Sequence, residues 1–143
     1  MADDIEMLST ISKTADMGRE SLRQVLEKAE DSGLRHALST QIKEYEKNYD
    51  AASRLLSSYG QPPMHTNPMA KMESQMMVSV KTKLTDNTTS KIAEMVMQGS
   101  TMGVTKMTKK LHEYHGNNHE ISALAEQQIK TEQANIDEMK KFL

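Results

Sequence analysis

Histidine is the residue type in this chain whose spacing points most directly to metal chemistry. The stretch LHEYHGNNHE, residues 111–120, holds three of the five histidines. Imidazole nitrogen binds zinc, nickel and copper, and residues three apart share one face of a helix. Three imidazoles with an open fourth position are a zinc arrangement. The sequence therefore yields a candidate metal site made of His112, His115 and His119, which His65 joins if it lies near the same loop.

The same stretch also has the composition of a turn between two helices. Gly116, Asn117 and Asn118 are turn residues. A cation near the carboxyl end of a helix is favoured by the helix dipole, which accounts for His112 and His115 without a metal ion. We interpret the stretch as a loop and keep metal binding as the alternative.

Methionine offers a second set of soft ligands. The segment MHTNPMAKMESQMM, residues 64–77, contains five of the chain's 13 methionines and His65. Thioethers suit Cu(I), and the candidates would be Met69 with Met72 and the pair Met76 and Met77. Methionine also fills irregular gaps along a helix, which explains the same residues as packing.

Glu132 is the carboxylate that stands out, because it falls on an otherwise apolar helical stripe together with Gln128. A buried carboxylate needs a partner or an altered pKa. Glu132 either lies at the edge of a tilted stripe or is paired in a core network. The candidate partners are Arg19, Arg23, Tyr45 and Tyr49.

Composition limits the classes of function. The 143 residues suit one domain, residues 1–143, and the absence of cysteine excludes disulfides and thiolate metal sites. A net charge of −2 with interspersed signs gives no electrostatic support to nucleic-acid binding. No apolar run has the length of a membrane span and the N-terminus has no apolar signal region, so we expect a cytoplasmic protein without a membrane partner.

Apolar residues recur at three- and four-residue spacing along most of the chain, which predicts helices. All three prolines lie between residues 62 and 68, which leaves long uninterrupted helices on either side. Short breaks near Gly33 and Gly116 predict two antiparallel hairpins, joined by a long link with its own short helix. The fold class is therefore an all-α four-helix bundle, with helices at about 4–31, 34–59, 68–84, 89–115 and 118–142.

Glycines within the helical stripes predict close approach of a neighbouring element. Gly18 lies on the stripe of the first helix, and Gly99 and Gly103 lie one turn apart on the third. Glycine costs about 1 kcal/mol of helix propensity relative to alanine. We therefore expect a tight helix crossing at these positions, with an oligomer contact as the alternative. The apolar face of the third helix is predicted to include Met102 and Met107.

The layout of two short-loop hairpins with a crossover after the second helix resembles the ferritin-like superfamily. The stretches TADMGRESL and AEMVMQGSTMGVTKM are similar to its small, uncharacterised bacterial members. Ferritin-like di-iron proteins take Glu from two helices and Glu-x-x-His from the other two. This sequence has no Glu-x-x-His, and Glu46-x-x-Tyr49 lacks the imidazole. The resemblance therefore implies the bundle without the di-iron ligands, with an apolar interior.

These observations predict a non-enzymatic structural or interaction protein that acts through a helical surface and needs no cofactor. The short helix from Pro68 to Leu84 is the expected contact element, with Met72 and Met76 at its centre, and the expected partner is a second copy or another protein. The alternative is a metal-binding or metal-storage protein using the histidine loop or residues 64–77.

Overall fold

The computed structural model describes residues 2–65 and 88–143. Within these ranges the chain is entirely helical apart from turns and short connections, with four long helices and no strand. The all-α, four-helix class predicted from the sequence is confirmed. The helices are α1 (Ala2–Lys28), α2 (Ser32–Ser58), α3 (Thr89–Glu113) and α4 (His119–Met139), and a 3-10 helix, Lys140–Phe142, follows α4.

Side-chain caps fix where three of the helices begin. The Asp31 carboxylate accepts a hydrogen bond from the Leu34 amide at 2.8 Å. The Thr88 hydroxyl accepts from the Lys91 amide, and the Asn118 side chain accepts from the Glu120 amide at 3.0 Å. Each cap satisfies an amide that has no partner within its helix.

The helix ends differ from the predicted ones by up to three residues. The first helix begins at Ala2 and ends at Lys28, not at about residues 4 and 31, and α4 ends at Met139 before the 3-10 helix. The sequence predicts a break between the first two helices near Gly33. In the structure Ser32 and Gly33 belong to the first turn of α2, because Asp31 caps that helix. The predicted helix over 68–84 and most of the segment 64–77 lie outside the described residues.

The four helices form two hairpins, α1–α2 and α3–α4. The two helices of a hairpin pack against each other more extensively than any two helices of different hairpins do. Asp4 near the start of α1 contacts Tyr59 after α2 and Tyr114 after α3, so these three ends meet. Consequently α2 and α3 run in the same direction, and α2 ends at the opposite end of the bundle from the start of α3. Contact between the hairpins is most extensive where α2 meets α4.

Two apolar clusters fill the bundle, one toward each end. Leu34, Leu38 and Ile92 belong to the first cluster, while Leu8 and Met107 belong to the second. Met102 is 47% exposed, contrary to the predicted apolar face of the third helix. Helix α3 is rotated so that its Ser100–Gly103–Met107 side faces inward.

Candidate functional site

Between the two apolar clusters, a tyrosine and a glutamate meet inside the bundle. The Tyr45 hydroxyl on α2 donates a hydrogen bond to Glu132 Oε1 on α4. Tyr45 is 4% exposed and Glu132 is 3% exposed. Of the two sequence interpretations of Glu132, the core network is therefore correct and the edge position is wrong. The partner is Tyr45, whereas Arg19 is paired with Asp16 at 3.1 Å.

Two glycines make room for this pair from opposite hairpins. A Cβ atom at Gly18 of α1 would lie 2.6 Å from Cζ of Tyr45, and one at Gly103 of α3 would lie 2.6 Å from Cδ of Glu132. These distances are too short for carbon atoms in contact. The close approach predicted at Gly18 and Gly103 is therefore made by side chains of the neighbouring helices, and the glycines leave the space that the pair occupies.

Uncharged polar residues extend the pair along the seam between α2 and α4. Asn135 Nδ2 donates to the Tyr45 hydroxyl at 3.2 Å, and Asn48 Nδ2 donates to Gln128 Oε1 at 2.8 Å and to Thr131 Oγ1 at 3.0 Å. The Gln128 Nε2 amide has no partner within the described residues. The predicted wholly apolar interior is wrong at this level, because the two hairpins meet through a buried polar layer.

The environment of the pair shifts the pKa of both members. Burial raises the pKa of Glu132 to about 7, against which the hydrogen bonds from Tyr45 and Ser100 act. Burial also raises the pKa of Tyr45 well above its ordinary value, and the Glu132 charge adds to that rise. Near neutral pH the Glu132 carboxyl therefore exchanges between its protonated and ionised forms while Tyr45 stays protonated.

The loop of residues 111–120 connects helix termini at one end of the bundle, through residues other than its histidines. The Tyr114 hydroxyl donates to Asp4 Oδ1, the Tyr59 hydroxyl donates to Asp4 Oδ2 at 2.6 Å, and Asn118 Nδ2 donates to the Tyr59 hydroxyl at 3.2 Å. A Cβ atom at Gly116 would collide with Tyr114 and Asp4. The hydrogen bonds, from Tyr114 first and then from Tyr59, lower the pKa of Asp4. The loop therefore serves as a clamp on the start of α1.

His65 lies on the first hairpin, beside the groove between α1 and α2. Its ring is 3.1 Å from the Tyr49 hydroxyl, and its Nδ1 is 4.0 Å from the buried Asp16 carboxylate. The Ser12 hydroxyl donates to the Met64 carbonyl at 2.8 Å, and Arg19 stacks over the Tyr49 ring at 4.0 Å. These contacts attach the beginning of the link to the first hairpin.

The structure places the other candidate ligands near the loop: His112 in the last turn of α3, His115 in the loop itself and His119 at the first residue of α4. Across residues 2–65 and 88–143, no three His, Asp or Glu side chains are arranged to hold a metal ion. The geometry thus adds nothing to the metal hypothesis, which stays a prediction for titration to test.

The outward side of α3 carries an open groove of about 530 Å³. Met102 lies within it, and the methylene stems of Lys106 and Lys109 extend its apolar surface. Lys110 forms one border, where its ammonium is 2.8 Å from the Glu6 carboxylate of α1. The groove is lined by Thr101, Met102, Thr105, Lys106, Lys109, Lys110 and Glu113.

Several residues of the polar layer are not predicted by the sequence analysis above, although their spacing indicates that they face the interior. Asn48 lies three residues after Tyr45, and Asn135 lies three residues after Glu132, so each shares a helix face with a residue already on the stripe. Asp4 carries no such signal, since it lies among acidic residues at the beginning of the chain.

The fold and the site define a four-helix bundle whose two hairpins meet through a buried Tyr–Glu pair and its amide neighbours. By sequence, the chain belongs to the family described as a domain of unknown function, DUF2383, whose family model matches residues 3–113. That match ends at the last residue of α3, so α4 and Glu132 lie beyond it. Within the described residues, no helix has both the length and the apolar character required to cross a membrane.

Comparison with curated proteins finds no match. Among solved structures, the chain is similar to the crystal structure of a DUF305 fragment from Deinococcus radiodurans, with a TM-score of 0.75 at 14% sequence identity. The similarity covers 99% of this chain and 95% of that one. At this identity the likeness bears on the helical fold alone.

Proposed function

We propose that this protein is a non-enzymatic helical bundle that works by binding another protein on the outward face of α3. The observation that carries the proposal is Met102, which is 47% exposed in the α3 groove although it lies on a well-packed helix. Methionine is adaptable in shape and is favoured at surfaces that accept helical partners. The α3 groove is therefore the contact surface that the described residues support, while the predicted contact helix over 68–84 lies outside them and stays a prediction.

The charge of the groove defines the chemistry of the partner. Three lysines and one glutamate border it, and Lys110 is already paired with Glu6. An amphipathic helix would place its apolar residues on Met102 and its acidic residues beside Lys106 and Lys109. The proposed partner is thus a protein that presents an acidic amphipathic helix.

A binding role also fits the closed state of the interior. A carboxyl whose pKa is raised toward neutrality is the kind of group that acid–base enzymes use. Here Glu132 is 3% exposed and contacts Tyr45, so no substrate reaches it in the closed bundle. This supports a structural role for the pair.

The test uses a synthetic amphipathic helical peptide, titrated into isotopically labelled protein. The peptide carries leucine at three- and four-residue spacing on one face and glutamate on the flanking positions. We expect amide shifts confined to α3 between Thr101 and Glu113. The double substitution K106E/K109E should abolish them. The matched control K43E/K47E makes the same charge change on an exposed part of α2. Shifts that map elsewhere, or equal loss in both variants, would reject the α3 groove as the binding surface.

Two finer structural features are also proposals. The parallel direction of α2 and α3, which requires a long crossover, supports a ferritin-like arrangement. Self-association through Met72 and Met76 is a separate proposal, since both residues lie outside the described ranges. Light scattering at micromolar concentration, with and without M72K/M76K, tests it: a monomer in both cases would rule it out.

A further inference from the structure

The two hairpins contain the most extensively packed pairs of helices in this bundle, and the contacts between helices of different hairpins form the joint. Contact within α1–α2 and contact within α3–α4 are each more extensive than contact between any two helices of different hairpins. Units of this kind open as wholes before the chain unfolds. The part of the joint formed by α2 and α4 contains the polar layer of Tyr45, Asn48, Gln128, Thr131 and Glu132.

Glu132 is placed where it touches three of the four helices. It belongs to α4, accepts the hydrogen bond of Tyr45 on α2, and lies against Gly103 and Ser100 on α3. Gly18 brings α1 against the other side of the Tyr45 ring. A change in the charge of this one carboxyl therefore acts on its contact with α2 across the joint and on its contact with α3 within the second hairpin.

The groups that face Glu132 offer no compensating positive charge. Tyr45 is the titratable group on α2, while the facing positions on α3 and α1 are Ser100, Gly103 and Gly18. On its own helix the neighbours are the neutral Gln128 and Asn135.

The buried carboxylate of α1, Asp16, is paired with Arg19 and lies toward His65. Within the described residues, an ionised Glu132 is therefore stabilised by hydrogen bonds alone, which do not offset the loss of hydration of a buried charge.

We propose that Glu132 is a proton-operated lock on the joint between the hairpins: the protonated carboxyl holds α4 against α2, and its ionisation lets the second hairpin move away from the first. Ionisation places a charge in a sealed layer, and opening the joint returns that charge to water. The first hairpin stays formed, because its internal contacts do not involve the carboxyl. The contacts of Glu132 with Ser100 and Gly103 lie within the second hairpin. The lock operates near neutral pH, where small changes in acidity alter its state.

Linkage gives the expected size of the effect. With a pKa of about 7 in the closed state and 4.5 when exposed, the open population rises roughly 30-fold between about pH 5.5 and about pH 8.5. The increase is governed by Glu132, so replacing it with glutamine removes the pH dependence while retaining the shape of the side chain.

Thiol labelling in this cysteine-free chain measures the opening. A Thr131→Cys variant reports on the joint, and a Ser12→Cys variant reports on the side of α1 that contacts Met64. Each is labelled with N-ethylmaleimide with and without E132Q, and the ratio at each pH cancels the intrinsic reactivity of the thiol. We expect the ratio to rise roughly 30-fold from about pH 5.5 to about pH 8.5 at Thr131→Cys. Labelling of Ser12→Cys, at a position buried in the first hairpin, should stay much slower than labelling of Thr131→Cys at every pH.

A ratio that stays constant at the joint would overturn the lock. Equal labelling rates at both positions would also overturn it, because both thiols would then react only when the whole bundle unfolds. A Tyr45→Phe variant provides a second measurement if E132Q perturbs the fold. Removing the Tyr45 hydrogen bond, which favours the ionised carboxyl, should move the midpoint of labelling at Thr131→Cys to higher pH, whereas an unchanged midpoint would contradict the proposal.

Discussion

Gly103 offers a sharp test of the packing around the buried pair. In an ordinary helix, Gly→Ala stabilises by about 1 kcal/mol. At Gly103 the three atoms nearest to a new Cβ all belong to Glu132, including Cδ at 2.6 Å. The carboxyl must therefore leave its position and give up the Tyr45 hydrogen bond. That loss amounts to about 1–3 kcal/mol, to which overpacking adds a similar amount.

We therefore expect G103A to lower the free energy of unfolding by about 2 kcal/mol once the propensity gain is included. In an E132A background the obstructing atoms are absent, so the same substitution should raise the free energy of unfolding by about 1 kcal/mol. The coupling energy between the two positions is then about 3 kcal/mol.

Urea unfolding followed by circular dichroism, on the four proteins of this double-mutant cycle, measures the coupling. Thermal midpoints give a second readout, at about 3 °C per kcal/mol for a chain of this size. The matched control is the cycle itself, since helix propensity changes equally in both backgrounds. Stabilisation by G103A in the presence of Glu132, or the same change in both backgrounds, would refute the reasoning.

Three further predictions concern pH, the clamp at the bundle end and metal ions. Because the folded-state pKa of Glu132 is raised from 4.5 to about 7, its stabilising contribution is complete below 4.5 and is lost as pH rises through 7. Urea titrations should show a fall of about 2.5 kcal/mol in the free energy of unfolding between about pH 5 and about pH 8, absent in E132Q. Replacing Asp4 with asparagine should lower the free energy of unfolding by about 1 kcal/mol, whereas the exposed Asp3 serves as the control and should change it by less than about 0.5 kcal/mol; equal effects would refute the clamp. Calorimetric titration with Zn²⁺, Ni²⁺ and Cu(I) should give no Kd tighter than about 10 µM. A tighter site would favour the metal alternative if binding disappeared when the four candidate histidines were replaced. These are His65, His112, His115 and His119.

The histidine loop shows how composition and contacts can assign different roles to one stretch. Its sequence draws attention to three imidazoles, yet the contacts that close the bundle end are made by Tyr114, Gly116 and Asn118. Asp4, the partner of the Tyr114 hydroxyl, is 110 residues away from Tyr114 along the chain. No local sequence pattern predicts an interaction between two residues so far apart along the chain.

Glu132 shows the same limit within the core. Its place on an apolar stripe was visible in the sequence, as was the need for a partner. The choice among the candidate partners was not, because it depends on how α2 and α4 are rotated about their axes. The predicted inward position of Met102 was wrong for a related reason. Neighbouring residues differ by about 100° around a helix, so the sequence of a broad apolar face does not define which of its residues point into the core.

The sequence by itself determined the four long helices and the short turns that produce two hairpins. These follow from interactions between residues a few positions apart, which are the same wherever the helix is placed. The tertiary structure alone decided which polar side chains meet inside the bundle and that α2 ends at the opposite end from the start of α3. Such contacts depend on the relative position of elements distant in sequence, and the Tyr45–Glu132 pair, separated by 87 residues, exists only when all four helices are in place.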